Sequence, residues 1–156
     1  SSGFNFRMNE MQGAVGIAQL KKINFILKKQ RKNYFLIKNQ IKNIEGVEIR
    51  HCPNNSHISA DSLIFFMPNK MQAIKCRKEL LKFGISTKIL PEATTWHFAK
   101  DWSHIYKLKK KYPNLKKHFK KSKQIIEKSV SIPIFLYMSK SFPQYVKKSI
   151  LNTIQK

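Results

Sequence analysis

The run Gly3-Phe4-Asn5-Phe6-Arg7-Met8-Asn9-Glu10-Met11-Gln12-Gly13-Ala14-Val15-Gly16-Ile17-Ala18-Gln19-Leu20 decides how this chain is read. A Gly-led loop carrying one Asn and one Arg leads into a helix start dense in Gly and Ala. A loop-to-helix junction suits an anion, because its backbone N–H groups are unpaired and the helix dipole favours negative charge. The small residues that follow let another backbone come close. The chain opens on this junction without an initiator Met. The expectation is that it was cut out of something longer.

Outward from that junction, apolar residues repeat with helical period. Asn9 is a candidate N-cap. Ile23, Leu27, Tyr34, Ile37, Ile41 and Ile44 recur at steps of three, four or seven and so share one face. No Pro interrupts the chain between Ser1 and Cys52. The spacing therefore predicts one long helix from Asn9 to Asn43, bent near Gly13 to Gly16 and ended by Gly46. Its other face carries Lys21, Lys22, Lys28, Lys29, Lys32 and Lys38, read as solvated.

Beyond Gly46 the pattern changes. Val47-Glu48-Ile49-Arg50 alternates as a short strand, and Pro53 to Ser56 is a turn. Ser62-Leu63-Ile64-Phe65-Phe66-Met67 is a continuous apolar run, expected as a buried strand. Pro68-Asn69 starts a helix from Lys70 to Phe83, and Gly84 stops it. Ile85 to Leu90 reads as a further strand, Lys109 to Lys128 as helical in its second half, and Ser129 to Ile134 as extended. A last amphipathic helix spans Phe142 to Ile154, started by Ser141 and Pro143. The fold class is α+β: a long N-terminal helix in residues 1–45, then a small mixed sheet-and-helix domain in residues 46–156.

Composition bounds the function classes. The 156 residues are 42% hydrophobic and 12% aromatic, enough for one domain with a real core. No apolar run approaches the ~20 residues of a membrane helix, and no signal peptide is expected. Cys52 and Cys76 form no disulfide framework, so a reducing, cytoplasmic setting is expected. The net charge is +23, yet only four of the 31 basic residues are Arg. Base and phosphate readout favours the Arg fork. Abundant Lys with Ile and Asn matches an AT-rich coding sequence. A basic surface also suits anionic, nucleotide-linked sugars. His51 and His57 flank Cys52 without zinc spacing, so no metal site is expected. There is no P-loop, no GxGxxG and no Ser-His-Asp order. The eight Asp and Glu residues are scattered, against a carboxylate-pair hydrolase.

The opening run resembles the G-x-N-x-R-M-x-E-x-Q-x-A-x-G-x-x-Q-L segment of the DegT/DnrJ/EryC1/StrS sugar aminotransferases, pyridoxal-phosphate enzymes of aminotransferase fold type I. Gly3, Asn5, Arg7, Met8, Glu10, Gln12, Ala14, Gly16, Gln19 and Leu20 match. Gly13 stands where that family has Ala. Two later phrases are similar in the same order: Leu80, Gly84, Ile85 and Thr87 in an L-x-x-x-G-I-x-T phrase, and Ser131, Pro133, Met138 and Ser139 in a late S-x-P-x-x-x-x-M-S phrase. The resemblance therefore reaches nearly the whole chain, as the C-terminal part of such an enzyme.

The resemblance implies pyridoxal 5'-phosphate as cofactor and a homodimer with its active site at the interface. It places Asn5 across that interface, bonded to the cofactor phosphate of the partner protomer, with Arg7 beside it to add charge-assisted bonds. It implies transfer of an amino group from an amino-acid donor, glutamate in the family, to a keto-sugar in surface polysaccharide biosynthesis. The run Thr94 to His104 matches the region that meets substrate, with Trp96 stacking and His97 bonding hydroxyls or phosphate. Its Trp/His-rich wording resembles members acting on an eight-carbon keto-sugar acid; a nucleotide-linked keto-sugar is the other substrate class. The Schiff-base Lys of the family belongs to a large domain upstream of these residues, so no activity is expected from them alone.

Plainer readings stand beside these. Asn5 also reads as an ordinary turn residue, and Arg7 as the partner of Glu10 in an i,i+3 ion pair. Trp96, Phe98 and Trp102 also read as a local aromatic core with His104 exposed. A stand-alone basic module for nucleic acid or another polyanion is the alternative to the enzyme. If the enzyme reading holds, no membrane and no nucleic-acid partner is expected.

Overall fold

The computed structural model describes residues 7–87, 98, 99, 102 and 104–155. Helix α1 (Glu10–Leu20) and helix α2 (Ile23–Ile41) precede strands β1 (Glu48–Ile49) and β2 (Ser62–Phe66) and helix α3 (Lys70–Lys82). Short helices α4 (Tyr106–Lys111), α5 (Leu115–His118) and α6 (Lys120–Glu127) lead to strand β3 (Ser129–Pro133) and helix α7 (Phe142–Ile154). The sheet has order β1-β2-β3, antiparallel throughout, with Leu63 opposite Ile132 and Phe65 opposite Val130. This is the α+β layering that the element order implies.

Period-2 burial along β2 puts Leu63 and Phe65 on the core face. They meet Val130 and Ile132 of β3, with Tyr34, Ile37 and Ile41 of α2, Ala73, Cys76 and Leu80 of α3, and Val146 and Ile150 of α7. Helix α7 packs against both α2 and α3, which in turn lie against β2 and β3. Stacking of Phe83 on Tyr145, 5.0 Å between centroids, secures the α3–α7 seam. Buried hydroxyls on α7 are satisfied within the helix: Ser149 donates to the Tyr145 carbonyl at 2.9 Å and Thr153 to the Ser149 carbonyl at 2.8 Å.

Helix ends follow the sequence closely in α3. The Asn69 side chain accepts the Gln72 N–H at 2.9 Å. At the other end Gly84 takes φ +69°, its N–H bonding the Leu81 carbonyl at 2.9 Å.

Two expectations are corrected. The long helix is two: Lys21 and Lys22 form a turn, with the Lys22 N–H on the Gln19 carbonyl at 2.9 Å. This tightened i→i−3 turn breaks the ladder, not the glycines at 13 and 16. Ile85, Ser86 and Thr87 are not strand, because the Ile85 N–H is already spent on the Leu80 carbonyl at 3.0 Å, closing α3; the rest of that expected strand, 88–90, lies outside the described residues. The stretch Lys109 to Lys128 is helical in its second half, as expected, with two further short helices ahead of it around Pro113. Ser141 and Pro143 start α7 as expected; the Ser141 side chain makes no capping bond, and its Oγ pairs with Ser139 Oγ at 3.2 Å.

Candidate functional site

Arg7-Met8-Asn9 leads directly into α1. Asn9 and Gln12 form a reciprocal capping box: Asn9 Oδ1 accepts the Gln12 N–H at 2.8 Å, and Gln12 Oε1 accepts the Asn9 N–H at 3.0 Å. Two of the four N-terminal N–H groups are thus held by side chains of the helix itself, and those of Glu10 and Met11 carry no such cap. Glu10 adds a negative charge in the first turn. The capping box leaves fewer free N–H groups at this junction than the sequence alone offers. The Arg7 side chain is exposed and makes no ion pair with Glu10 among the described residues. That guanidinium suits a phosphate through charge-assisted bonds. Asn5 lies outside the described residues.

Helix α1 buries none of its residues. Met8, Met11, Val15, Ile17 and Leu20 are all exposed, Met11 at 78%. An added Cβ on Gly16 would meet nothing within 4 Å, and one on Gly13 would meet only the Met8 sulfur at 3.9 Å. The small residues read as packing residues thus face open space within this chain. Helix α1 exposes apolar side chains on more than one of its faces.

Of the second constellation, Trp96 and His97 lie outside the described residues. Its later part divides. Phe98 is buried and meets Phe119 edge-to-face at 5.8 Å, the local-core reading for that residue. Trp102 is half-buried, its N–H on the Ala99 carbonyl at 3.1 Å. His104 is exposed. Among the described residues no three His, Cys, Asp or Glu side chains gather as metal ligands.

Two buried polar residues escaped the sequence reading. Asn33, on α2, donates from Nδ2 to the carbonyls of Phe135 at 2.7 Å and Leu136 at 3.2 Å. It thereby ties α2 to the loop of the late Pro-to-Met-Ser phrase. Arg77, on α3, is 8% exposed and its Nη1 has no hydrogen-bond partner. The signal for Arg77 was present: it shares the i, i+3, i+4, i+7 face of Ala73, Cys76 and Leu80. Asn33 adjoins Tyr34 on the buried arc of α2, but its carbonyl partners lie a hundred residues away.

Ionisation follows these surroundings. Burial pushes the Cys76 thiol up to about 12, partly offset by a Thr153 hydrogen bond and the Arg77 charge. Burial also raises Tyr34, as does the nearby Cys52. At Glu127 burial disfavours the charge, but Lys70 at 3.1 Å and Lys123 at 3.6 Å outweigh it and hold the carboxyl below its usual range.

Comparison with known proteins places this arrangement. The family model of the DegT/DnrJ/EryC1/StrS aminotransferase family matches residues 1–151. Among solved structures, the chain is similar to Helicobacter pylori PseC, an aminotransferase involved in the biosynthesis of pseudoaminic acid. The TM-score is 0.71 at 22% identity, over 99% of this chain and 40% of that one. It is similar to the sugar aminotransferase CalS13 from Micromonospora echinospora, with TM-score 0.66 at 21% identity, over 96% of this chain and 37% of that one. A third likeness is to E. coli GDP-4-keto-6-deoxy-D-mannose-3-dehydratase with bound hydrated PLP, TM-score 0.65 at 16% identity, over 96% of this chain and 37% of that one. The chain thus spans about two fifths of the length of these structures.

Proposed function

The chain belongs to the DegT/DnrJ/EryC1/StrS aminotransferase family, and from that premise we propose that it forms the C-terminal part of a pyridoxal 5'-phosphate-dependent sugar aminotransferase. The observation that carries this reading is the family match over residues 1–151, which takes in Arg7 at the mouth of α1. The substrate is a keto-sugar, either nucleotide-linked or an eight-carbon keto-sugar acid. The amino donor is glutamate.

When bound, the cofactor supplies the electron sink on which an amino group is exchanged. This chain's own residues bind and orient. Asn5 donates its amide N–H to the cofactor phosphate of the partner protomer in a homodimer. Arg7 adds positive charge at the same phosphate, beside a helix start where the Asn9–Gln12 box already holds two of the N–H groups. Trp96 stacks on the sugar, and His97 bonds its hydroxyl or phosphate oxygens. The exposed apolar side chains of α1, on more than one of its faces, lie against the partner and the large domain. The Lys that carries the cofactor belongs to that large domain, so these 156 residues are inactive by themselves.

The gene upstream tests the reading first: a continuous frame into a Lys-bearing domain is expected, and a frame without one overturns it. In the protein so completed, Asn5→Ala should release pyridoxal phosphate on dialysis faster than the parent. Unchanged retention would remove Asn5 from the site. Product analysis with a keto-sugar and glutamate should find an amino-sugar. A deoxy-keto-sugar formed by loss of water would instead assign the chemistry of the dehydratase neighbour.

A further inference from the structure

The segment 107–123 holds nine of the chain's lysines in 17 residues, with no Asp or Glu and no Arg. The other 18 lysines are spread over 139 residues. A drift of composition acts on the whole chain and does not concentrate charge fourfold in one place. Lys107, Lys109, Lys110, Lys111, Lys117, Lys120, Lys121 and Lys123 are all exposed. Among the described residues only Lys123 of this set has an acidic partner, Glu127 at 3.6 Å, and that carboxylate is shared with Lys70. Like charges this close on short helices destabilise them, so the cluster costs folded stability without an internal return. An external negative surface would supply the missing counter-charge.

Exposed apolar side chains flank and interrupt the lysine segment. Tyr106 is 75% exposed at the start of α4, Tyr112 follows α4, and Ile125 is exposed on α6. Lysine stems reaching toward headgroups, with aromatic and aliphatic groups between them, is the composition of a helix that lies on an anionic bilayer. Nucleic acid fits less well. The helices have six, four and eight residues, short for groove reading, and the segment lacks the guanidinium fork that reads phosphates and bases.

We propose that α4 to α6 form an electrostatic docking surface for a membrane leaflet rich in anionic lipid. The enzyme reading gives no membrane partner, and a surface contact of this kind needs no spanning helix. The proposal is independent of the enzyme reading.

The test is co-sedimentation of the 156-residue chain with vesicles of pure phosphatidylcholine and of phosphatidylcholine with 30% phosphatidylglycerol, against salt (~0.05 to 0.5 M). Binding to the anionic vesicles alone, falling steeply with salt, is expected. Changing Lys109, Lys110, Lys111, Lys117, Lys120 and Lys121 to Gln should weaken it at least ~30-fold. Changing six lysines elsewhere, Lys28, Lys32, Lys42, Lys75, Lys147 and Lys148, to Gln should change it less than ~5-fold; circular dichroism checks that both variants fold. Equal loss in the two variants would reduce the effect to net charge and overturn the proposal. So would absent vesicle binding, or tighter binding to duplex DNA than to anionic vesicles at the same salt.

Discussion

Asn33 is 5% exposed and spends its amide on the Phe135 and Leu136 carbonyls, joining α2 to their loop. Replacing it with Ala should cost about 0.5–1.5 kcal/mol in urea unfolding, the net worth of the lost hydrogen bonding. Arg77 presents the opposite case. Its Nη1 is buried without a partner, so Arg77→Met keeps the stem packed and removes a desolvated charge. Stability should stay level or rise by up to about 2 kcal/mol. Cys76 is a third residue with a sharp expectation. In the folded chain a thiol reagent should label Cys52 at once and Cys76 only on unfolding. The Cys76 thiol is raised from 9.0 to about 12 in the fold. Its contribution is whole below about pH 9 and is lost as pH climbs toward 12, because only the unfolded chain ionises the group in that window. Cys76→Ala should shrink the alkaline fall in urea midpoint between those values.

At the scale of elements, the helix ends and the glycines divide into local and tertiary cases. Asn69 caps α3 through one bond within its own turn, so Asn69→Ala should cost about 1 kcal/mol whatever else surrounds the helix. Gly16 behaves differently. Open space surrounds it here, so in the isolated chain Gly16→Ala should raise the helix signal of α1, worth about 1 kcal/mol of propensity. In a completed dimeric enzyme the same change should weaken assembly if a neighbouring backbone approaches there. Circular dichroism and analytical ultracentrifugation read the two effects separately. Helix caps of this kind were legible from sequence because donor and acceptor sit three residues apart. The break at Lys21–Lys22 was not, since neither Gly nor Pro marks it. The sheet's third strand was visible as the extended run Ser129 to Ile134. Ile85 to Thr87 was misread as strand because β-propensity says nothing about an N–H already used to close α3.

For the whole molecule, the net charge of +23 sets the solution behaviour. Crowded lysines repel one another in the folded chain, and only a few described carboxylates pair with them. Raising sodium chloride from low to physiological strength should therefore raise the melting temperature by several degrees, through screening of self-repulsion. A fall in melting temperature would mean that the ion pairs outweigh the repulsion.

Local information determined a good part of this protein. The loop-and-helix motif at the start, the alternation that buries Leu63 and Phe65, the α7 stripe and the Asn69 and Gly84 helix ends all act over a few residues, and the family is written in that first motif. Tertiary structure decided the rest. It chose which carbonyls Asn33 would meet, left the Arg77 Nη1 buried without a hydrogen-bond partner, kept every residue of α1 unburied, and spent the Asn9 cap on the helix itself. Those outcomes depend on what packs against what across a hundred residues of chain, and burial, the quantity that sets their energies, does not exist until the elements have come together.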